Sequence, residues 1–211
     1  MGACARHGLR KALLDGTVGD KALERVLDWR VALAEVSLIV TCDASPWGIG
    51  AILSDADGNP LEWLACPVSP LDCKILGVTV GDCRGQAVLE ALALLVALRT
   101  WAPRWCNQRV RAHVRSDNTA ALGAVQKLAS PTANVNLVAR EVALDVAASA
   151  YGLEATSWGH ISGALNDWAD SLSRLTAPEK KTVPKALAAV PRAHLAVRGL
   201  SWWRTRLKGK G

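Results

Sequence analysis

The sequence contains no phenylalanine and only one tyrosine, so nine tryptophans supply almost all of its aromatic surface. It also lacks any CxxC pair, and its six cysteines lie mostly among apolar residues, which favours reduced core thiols over a disulfide framework or a zinc site. No stretch approaches the roughly 18 uninterrupted apolar residues of a membrane span, and the first residues lack the apolar centre of a secretory signal. We therefore expect an intracellular protein, cytoplasmic or nuclear, that has no membrane partner.

Positive charge is concentrated at the end of the chain. Residues 176–211 carry nine Lys or Arg and one acid, a net charge of +8, whereas residues 1–175 carry a net charge of −2. A basic end suits a polyanion, through phosphate neutralisation and through base stacking on Trp202 and Trp203. A solvated end is the alternative, and the two tryptophans could instead pack this segment onto the rest of the protein.

Hydrophobic patterning predicts one sizeable α/β domain, because half of the 211 residues are apolar and strand and helix patterns alternate. The predicted strands cover residues 37–43, 48–54, 61–67, 108–117 and 154–159. The predicted helices are an amphipathic one at 19–35, a buried one that begins at 86 and ends before Pro103, and others at 118–128, 132–150 and 166–175. Residues 68–85 are predicted to form a long loop.

The order of these elements predicts a mixed five-stranded sheet flanked by helices. The first three strands form a meander. A right-handed crossover through the buried helix makes the fourth strand parallel to the first, if the two are neighbours. Asp43 and Asp117 then lie together at the carboxyl edge of the sheet, where open α/β sheets tend to place their ligand sites.

Four carboxylates occupy positions that are unusual for an acid. Asp43 ends an apolar strand, and Glu90 is the only charge between residues 87 and 98, where an unpaired carboxylate would cost several kcal/mol. Asp117 follows a strand, and Asp170 lies in the first turn of the last helix. Taken singly, Asp43 also fits a turn, Asp117 a helix cap, and Glu90 the surface of a helix that is less buried than predicted.

Clustered carboxylates repel one another, so a site that contains four of them makes sense mainly around cations. Oxygen ligands without a nearby Cys or His pair favour Mg²⁺ or Mn²⁺. Two such ions about 4 Å apart can activate a water and stabilise the leaving oxygen of an in-line phosphoryl displacement. The reaction that this pattern predicts is phosphodiester hydrolysis.

The segments "TCDASPWGIGAIL", "EALALLVAL", "RSDNTAAL" and "HISGALNDWADSLSR" resemble the ribonuclease H domain of retroelement reverse transcriptases, especially those of long-terminal-repeat and tyrosine-recombinase retrotransposons. The resemblance covers about residues 37–175, and the closing "H.....N..AD.LSR" is its most specific part. It implies a ribonuclease H-like fold and a two-metal-ion hydrolysis of the RNA strand of RNA–DNA hybrids. A non-catalytic nucleic-acid-binding module that keeps this fold is the alternative.

The resemblance also implies roles for individual residues. The ligands of two Mg²⁺ ions, with Mn²⁺ as a possible substitute, are by position Asp43, Glu90, Asp117 and Asp170. His160, ten residues before Asp170, would assist proton transfer or product departure, and Gly48 and Gly50 would let the backbone lie close to a nucleic acid strand. The residues expected to contact nucleic acid are Ser45, Gly48, Asn118, Asn166 and Arg174.

On this basis we divide the chain into a helical extension (1–36), a ribonuclease H-like domain (37–175) and a basic tail (176–211). The extension is too short for a polymerase domain but suits the remnant of a connection to one. A reverse-transcriptase polymerase domain is therefore a further expected partner beside the RNA–DNA hybrid. Because "QKLASPTANVN" is nearly uncharged, the basic protrusion with which cellular ribonucleases H grip hybrid is missing, and affinity must come from the tail or the polymerase.

Overall fold

The computed structural model describes residues 36–105, 110–148, 153–179 and 181–206 of the protein. Its strands are β1 (Val36–Ala44), β2 (Gly48–Asp55), β3 (Pro60–Pro67), β4 (Val110–Ser116) and β5 (Leu153–His160). Its α-helices are α1 (Pro70–Leu76), α2 (Gln86–Trp105), α3 (Thr119–Gln126), α4 (Ala133–Ala147) and α5 (Asp167–Ser173). The helix predicted at 19–35 lies outside the described residues.

Hydrogen bonding places the strands in the order β3-β2-β1-β4-β5. β1, β2 and β3 pair antiparallel as a meander, whereas β4 is parallel to both β1 and β5. The predicted mixed five-stranded sheet flanked by helices is confirmed, including the parallel pairing of the first and fourth strands. Because these two strands run in the same direction, Asp43 near the end of β1 and Asp117 just after β4 lie at one edge of the sheet.

The main core lies between one face of the sheet and the helices α2, α3 and α4. β4 shows how the sequence produces this face, because Val110, Ala112 and Val114 are buried while the residues between them are at least partly exposed. α2 is buried on nearly every side. By length and composition it is the one helix among the described residues that could span a membrane, but 67% of that stretch is buried inside the protein, as in a globular core helix.

Two local predictions are wrong. The loop predicted at 68–85 contains α1, which begins with a reciprocal cap: Ser69 accepts a hydrogen bond from the Asp72 amide, and the Asp72 carboxylate accepts one from the Ser69 amide. α2 continues through Pro103 to Trp105 instead of ending before the proline. Proline removes a helical hydrogen bond, but so close to the end of a helix that loss is small compared with the packing of the preceding turns.

Residues 184–206, the C-terminal segment, fold back over the domain. Trp203 is fully buried in the main core, and the ring of Trp202 packs edge-on against it with the ring centroids 5.0 Å apart. Of the two roles left open for these tryptophans, packing onto the domain is the one that they have in this structure.

Arginines of the C-terminal segment also bind acids of the domain. Arg198 pairs with the fully buried Asp72 at 2.8 Å, and Arg204 pairs with the fully buried Asp145 at 2.9 Å. Part of the positive charge at this end of the chain is therefore used in internal ion pairs.

α5 packs on the sheet face opposite α2, which we call the outer face. Gly48 and Gly50 of β2 lie beneath α5 and are buried. A Cβ at Gly50 would stand 2.3 Å from the carbonyl oxygen of Ala169, and a Cβ at Gly48 would stand 2.6 Å from that of Ser173. The close neighbour that these glycines admit is α5 of the same chain, which corrects the expectation that they admit a nucleic acid strand.

Candidate active site

Three of the four predicted carboxylates meet at the carboxyl edge of β1 and β4. Oxygen atoms of Asp43, Glu90 and Asp117 all lie within 4.8 Å of one another. β1 supplies Asp43, the turn after β4 supplies Asp117, and the first turns of α2 supply Glu90. Asp43 and Glu90 are only 4% and 3% exposed, whereas Asp117 is half-buried, so the cluster reaches solvent at Asp117.

α5 holds the carboxylate of Asp43 by two hydrogen bonds. The Ser173 hydroxyl donates to Asp43 Oδ2 at 2.7 Å, and the Asn166 side-chain amide donates to Asp43 Oδ1 at 3.3 Å and to the carbonyl of Cys42 at 3.2 Å. Asn166 occupies the N-cap position of α5, but its side chain makes no capping bond to the helix. Its amide instead links α5 to the end of β1.

Gln86 orients Glu90 from one turn earlier in α2. Its side-chain amide donates to Glu90 Oε1 at 2.8 Å and to the carbonyl of Ala44 at 2.6 Å. Neither Gln86 nor Ser173 is among the residues that the sequence predicts for the site. The four-residue spacing of Gln86 and Glu90 was an available signal, because residues at that spacing are neighbours on a helix.

Burial and mutual repulsion raise the pKa values of two carboxyls in the cluster. Burial is the largest cause for Asp43, whose pKa rises to about 7 in spite of the hydrogen bond from Ser173. Burial likewise raises the pKa of Glu90 to about 8, with a further contribution from the charge of Asp43. No ion pair among the described residues neutralises either group. This oxygen-only, uncompensated cluster fits a divalent cation.

Asp170, the fourth predicted ligand, is not part of this three-carboxylate group. Its carboxylate pairs with Arg174 at 2.6 Å and with Lys181. Partial burial would raise the pKa of Asp170, but the hydrogen bonds from Lys181 and Arg174 outweigh it and lower that pKa. Asp170 is nevertheless near enough for its charge to raise the pKa of Asp43, so it lies beside the group while bound to two cations.

His160 ends β5 and is exposed. In the parallel register of β4 and β5 it lies opposite Ser116, the residue before Asp117. The fold therefore brings His160 to the same sheet edge as the carboxylates. Its ring makes no hydrogen bond to the residues that the structure describes. Its role in proton transfer or product departure stays a prediction.

Three of the remaining residues predicted to contact nucleic acid have partners within the protein. Ser45 is fully buried and donates to the carbonyl of Ser173 at 2.7 Å, which corrects the expectation that its hydroxyl contacts nucleic acid. Asn118 caps α3 by accepting a backbone N–H bond at 2.9 Å. Arg174 pairs with Asp170. Asn118 and Arg174 remain partly exposed, and their contacts to nucleic acid stay predictions.

We expect the metal-free protein to lose stability as pH rises from about 4 to about 8. Asp43 and Glu90 have raised pKa values in the folded state, so the unfolded chain releases their protons at lower pH. Glu90→Gln should therefore stabilise the metal-free protein, by roughly 2–4 kcal/mol at pH 8 and by much less at pH 4. Chemical unfolding in a chelator at several pH values measures this difference.

The matched control for Glu90→Gln is Glu179→Gln, which changes an exposed acid outside the cluster. Its effect on the free energy of unfolding should be small at every pH. A stabilisation by Glu90→Gln that does not depend on pH would contradict the assignment of the raised pKa to Glu90.

No protein-family model and no curated protein matches the sequence. Similar solved structures include ribonuclease H1 from Halobacterium salinarum NRC-1, at 16% identity and a TM-score of 0.47, over 68% of this chain and 97% of that one. They include the N-terminal RNase H domain of rv2228c from Mycobacterium tuberculosis, at 16% identity and a TM-score of 0.46, over 65% of this chain and 91% of that one. A foamy viral protease-reverse transcriptase in complex with dsDNA is similar at 11% identity and a TM-score of 0.43, over 70% of this chain and 96% of that one. These likenesses are distant and assign no role to any residue of this chain.

Proposed function

We propose that the protein is a metal-dependent endonuclease that hydrolyses the RNA strand of RNA–DNA hybrids, a ribonuclease H. The observation that carries this proposal is the group of Asp43, Glu90 and Asp117 at the carboxyl edge of β1 and β4. Two of these carboxyls are buried, have raised pKa values and form no ion pair with any residue that the structure describes, an arrangement that is costly unless a cation binds there.

The ions that suit these oxygen ligands are Mg²⁺ and Mn²⁺. Asp43, Glu90 and Asp117 would hold the first ion, and Asp170 would help to hold a second ion only after giving up its contacts with Arg174 or Lys181. When bound, such ions supply a nucleophilic water at neutral pH and neutralise charge that develops on the phosphoryl oxygens.

The other residues of the site would position these groups and move a proton. Ser173 and Asn166 fix the Asp43 carboxylate, and Gln86 fixes that of Glu90, so the ligand oxygens are oriented before substrate arrives. His160, exposed at the same edge, would carry a proton through a ring nitrogen to or from the reacting strand.

The retroelement origin is the finer part of the proposal and rests on the sequence, chiefly on "HISGALNDWADSLSR". With this origin, the chain has two partners: the RNA–DNA hybrid and a reverse-transcriptase polymerase domain.

A hybrid whose RNA strand is labelled tests the proposed function directly. The full chain should cut the RNA strand internally in Mg²⁺ or Mn²⁺ and should not cut it in a chelator. It should not cut duplex DNA of the same sequence. If the hybrid is cut in neither Mg²⁺ nor Mn²⁺, the proposal is overturned.

One observation favours a second candidate, a non-catalytic module that binds nucleic acid. Asp170 is held by Arg174 and Lys181, so a two-ion site is not assembled in this conformation. Hybrid binding that is equal in Mg²⁺ and in chelator, without cleavage, would establish this alternative.

His160→Ala is expected to slow cleavage by roughly 10- to 100-fold, at or below the lower limit of what a well-placed general acid or base contributes. The side chain is exposed and is not part of the three-carboxylate group, so metal binding should be nearly unchanged. Cleavage rates and Mg²⁺ titration by calorimetry measure the two effects. A weaker Mg²⁺ affinity would instead make His160 a ligand.

A further inference from the structure

A shallow groove of about 150 Å³ runs across the outer face, beginning beside Asn166 at the active-site edge. Ile39 and Thr41 of β1 and Ile52 of β2 form its floor, and the first turn of α5 forms one wall. Trp168 stands on that wall and is 39% exposed, with Leu165 beside it at 76%. An exposed indole on the wall of a concave surface is a ready stacking platform.

The polar groups of the groove complement an anion. β4 directs Arg115 to the outer face in alternation with its buried residues, and Arg115 lines the groove. No Asp or Glu is among the described residues that line it. Arg115 makes no ion pair with the described residues, so its charge is available to a ligand.

Asn166 lines the same groove and carries a second, independent sign of a ligand. The residue is 2% exposed, and its Oδ1 accepts no hydrogen bond from any described residue. The orientation of the amide is fixed, because its nitrogen must face two acceptors, Asp43 Oδ1 and the carbonyl of Cys42. A buried carbonyl oxygen without a donor is costly, and an N–H group of a ligand would satisfy it.

We propose that this groove is a subsite for one unpaired nucleotide of the strand that continues beyond the acidic cluster. Trp168 stacks on the base, Asn166 Oδ1 accepts a base N–H, and Arg115 neutralises the adjoining phosphate. The proposal rests on the proposed function, because the nucleotide belongs to a strand held at that cluster. Stacking aromatics beside cations are the usual means of binding single strands without sequence preference.

A protein segment is the other class of occupant for an exposed apolar surface of this kind. The described residues favour the nucleotide for two reasons. The groove pairs its apolar floor with the cation of Arg115, and Asn166 Oδ1 is an acceptor that no described residue satisfies. An apolar helix or strand would bury Arg115 without a partner, which is costly.

Binding of three hybrids to the full chain, in chelator to prevent cleavage, tests the subsite. The first hybrid is blunt, and the other two have the same duplex with an unpaired RNA overhang, at the 3′ end in one and at the 5′ end in the other. For one of these ends, we expect the overhang to tighten binding to the unchanged protein about tenfold, the effect of a single stacked base. Trp168→Ala and Arg115→Gln should each remove most of this preference and leave the affinity for blunt hybrid nearly unchanged.

Lys127→Gln is the matched control for the charge change, because Lys127 is exposed and lies outside the groove. It should keep the overhang preference. Equal binding of blunt and overhang hybrids by the unchanged protein would overturn the subsite, as would an overhang preference that survives both groove variants. The proposed function fails separately, if blunt hybrid is cut in neither Mg²⁺ nor Mn²⁺.

Discussion

Asp43→Asn is expected to reduce hybrid cleavage by about 10³-fold or more while the protein remains folded. Asp43 contributes one of the three clustered carboxylates, and a bound ion supplies several kcal/mol of charge stabilisation to phosphoryl transfer. The neutral amide keeps the shape of the side chain but is a much weaker ligand. Single-turnover cleavage of labelled hybrid in saturating Mg²⁺ measures the loss.

Folding of Asp43→Asn provides the necessary control. Without metal its melting temperature above pH 7 should equal or exceed that of the unchanged protein, because a buried carboxylate with a raised pKa has been removed. Asp57→Asn, an exposed acid in the β2–β3 turn, should change neither cleavage nor stability appreciably. Retained cleavage by Asp43→Asn would show that Asp43 is not a metal ligand.

Trp203→Ala is expected to destabilise the protein by about 3–5 kcal/mol, the usual cost of truncating a buried tryptophan. Trp203 is fully buried in the main core although it lies near the end of the chain. Its removal leaves a cavity and takes away the partner of Trp202, over which Arg99 stacks at 4.3 Å. Urea unfolding monitored by circular dichroism measures the loss.

Leu200→Ala is the matched control, because Leu200 lies in the same segment and is 65% exposed. It should change the free energy of unfolding by no more than about 0.5 kcal/mol. Equal stability of Trp203→Ala and the unchanged protein would show that the C-terminal segment does not complete the core in solution.

The sheet and three of the site residues could be predicted because their signals are local. The alternation of β4 and the apolar length of α2 specify their own elements, and strand order then follows from short connections and a right-handed crossover. Asp43, Glu90 and Asp117 each stand out against an apolar background. The convergence of Asp43 and Asp117 requires only that β1 and β4 be parallel neighbours, and Glu90 joins them because the first turns of α2 lie at the same edge.

The surroundings of Asp170 could not be predicted in the same way. Lys181 reaches it from beyond α5, and nothing in the local sequence specifies the turn that brings it back. The role of the glycines was misassigned for a related reason. A small residue indicates that something lies close, but the sequence does not say whether Gly50 faces a ligand or a helix of the same chain.

The charge of the C-terminal segment predicts a polyanion partner, but charge alone does not distinguish surface arginines from arginines that pair with buried acids. The partners of Arg198 and Arg204 are Asp72 and Asp145, which are distant in sequence and have no unusual local pattern. The burial of Trp203 likewise depends on a surface formed by helices that precede it by many residues.

The same segment has a consequence for how copies of the protein behave at high concentration. β3 is the outermost strand on its side of the sheet, and residues beyond Val190 occupy its free edge. The Trp63 amide donates to the carbonyl of Pro191 at 3.2 Å, and the Ala193 amide donates to the carbonyl of Trp63 at 2.8 Å. An uncovered edge strand is a template for intermolecular pairing. Proteolytic removal of the residues from Pro191 onward would therefore leave backbone groups of β3 unpaired and promote aggregation through this edge. The C-terminal segment thus protects the edge of the sheet from intermolecular pairing.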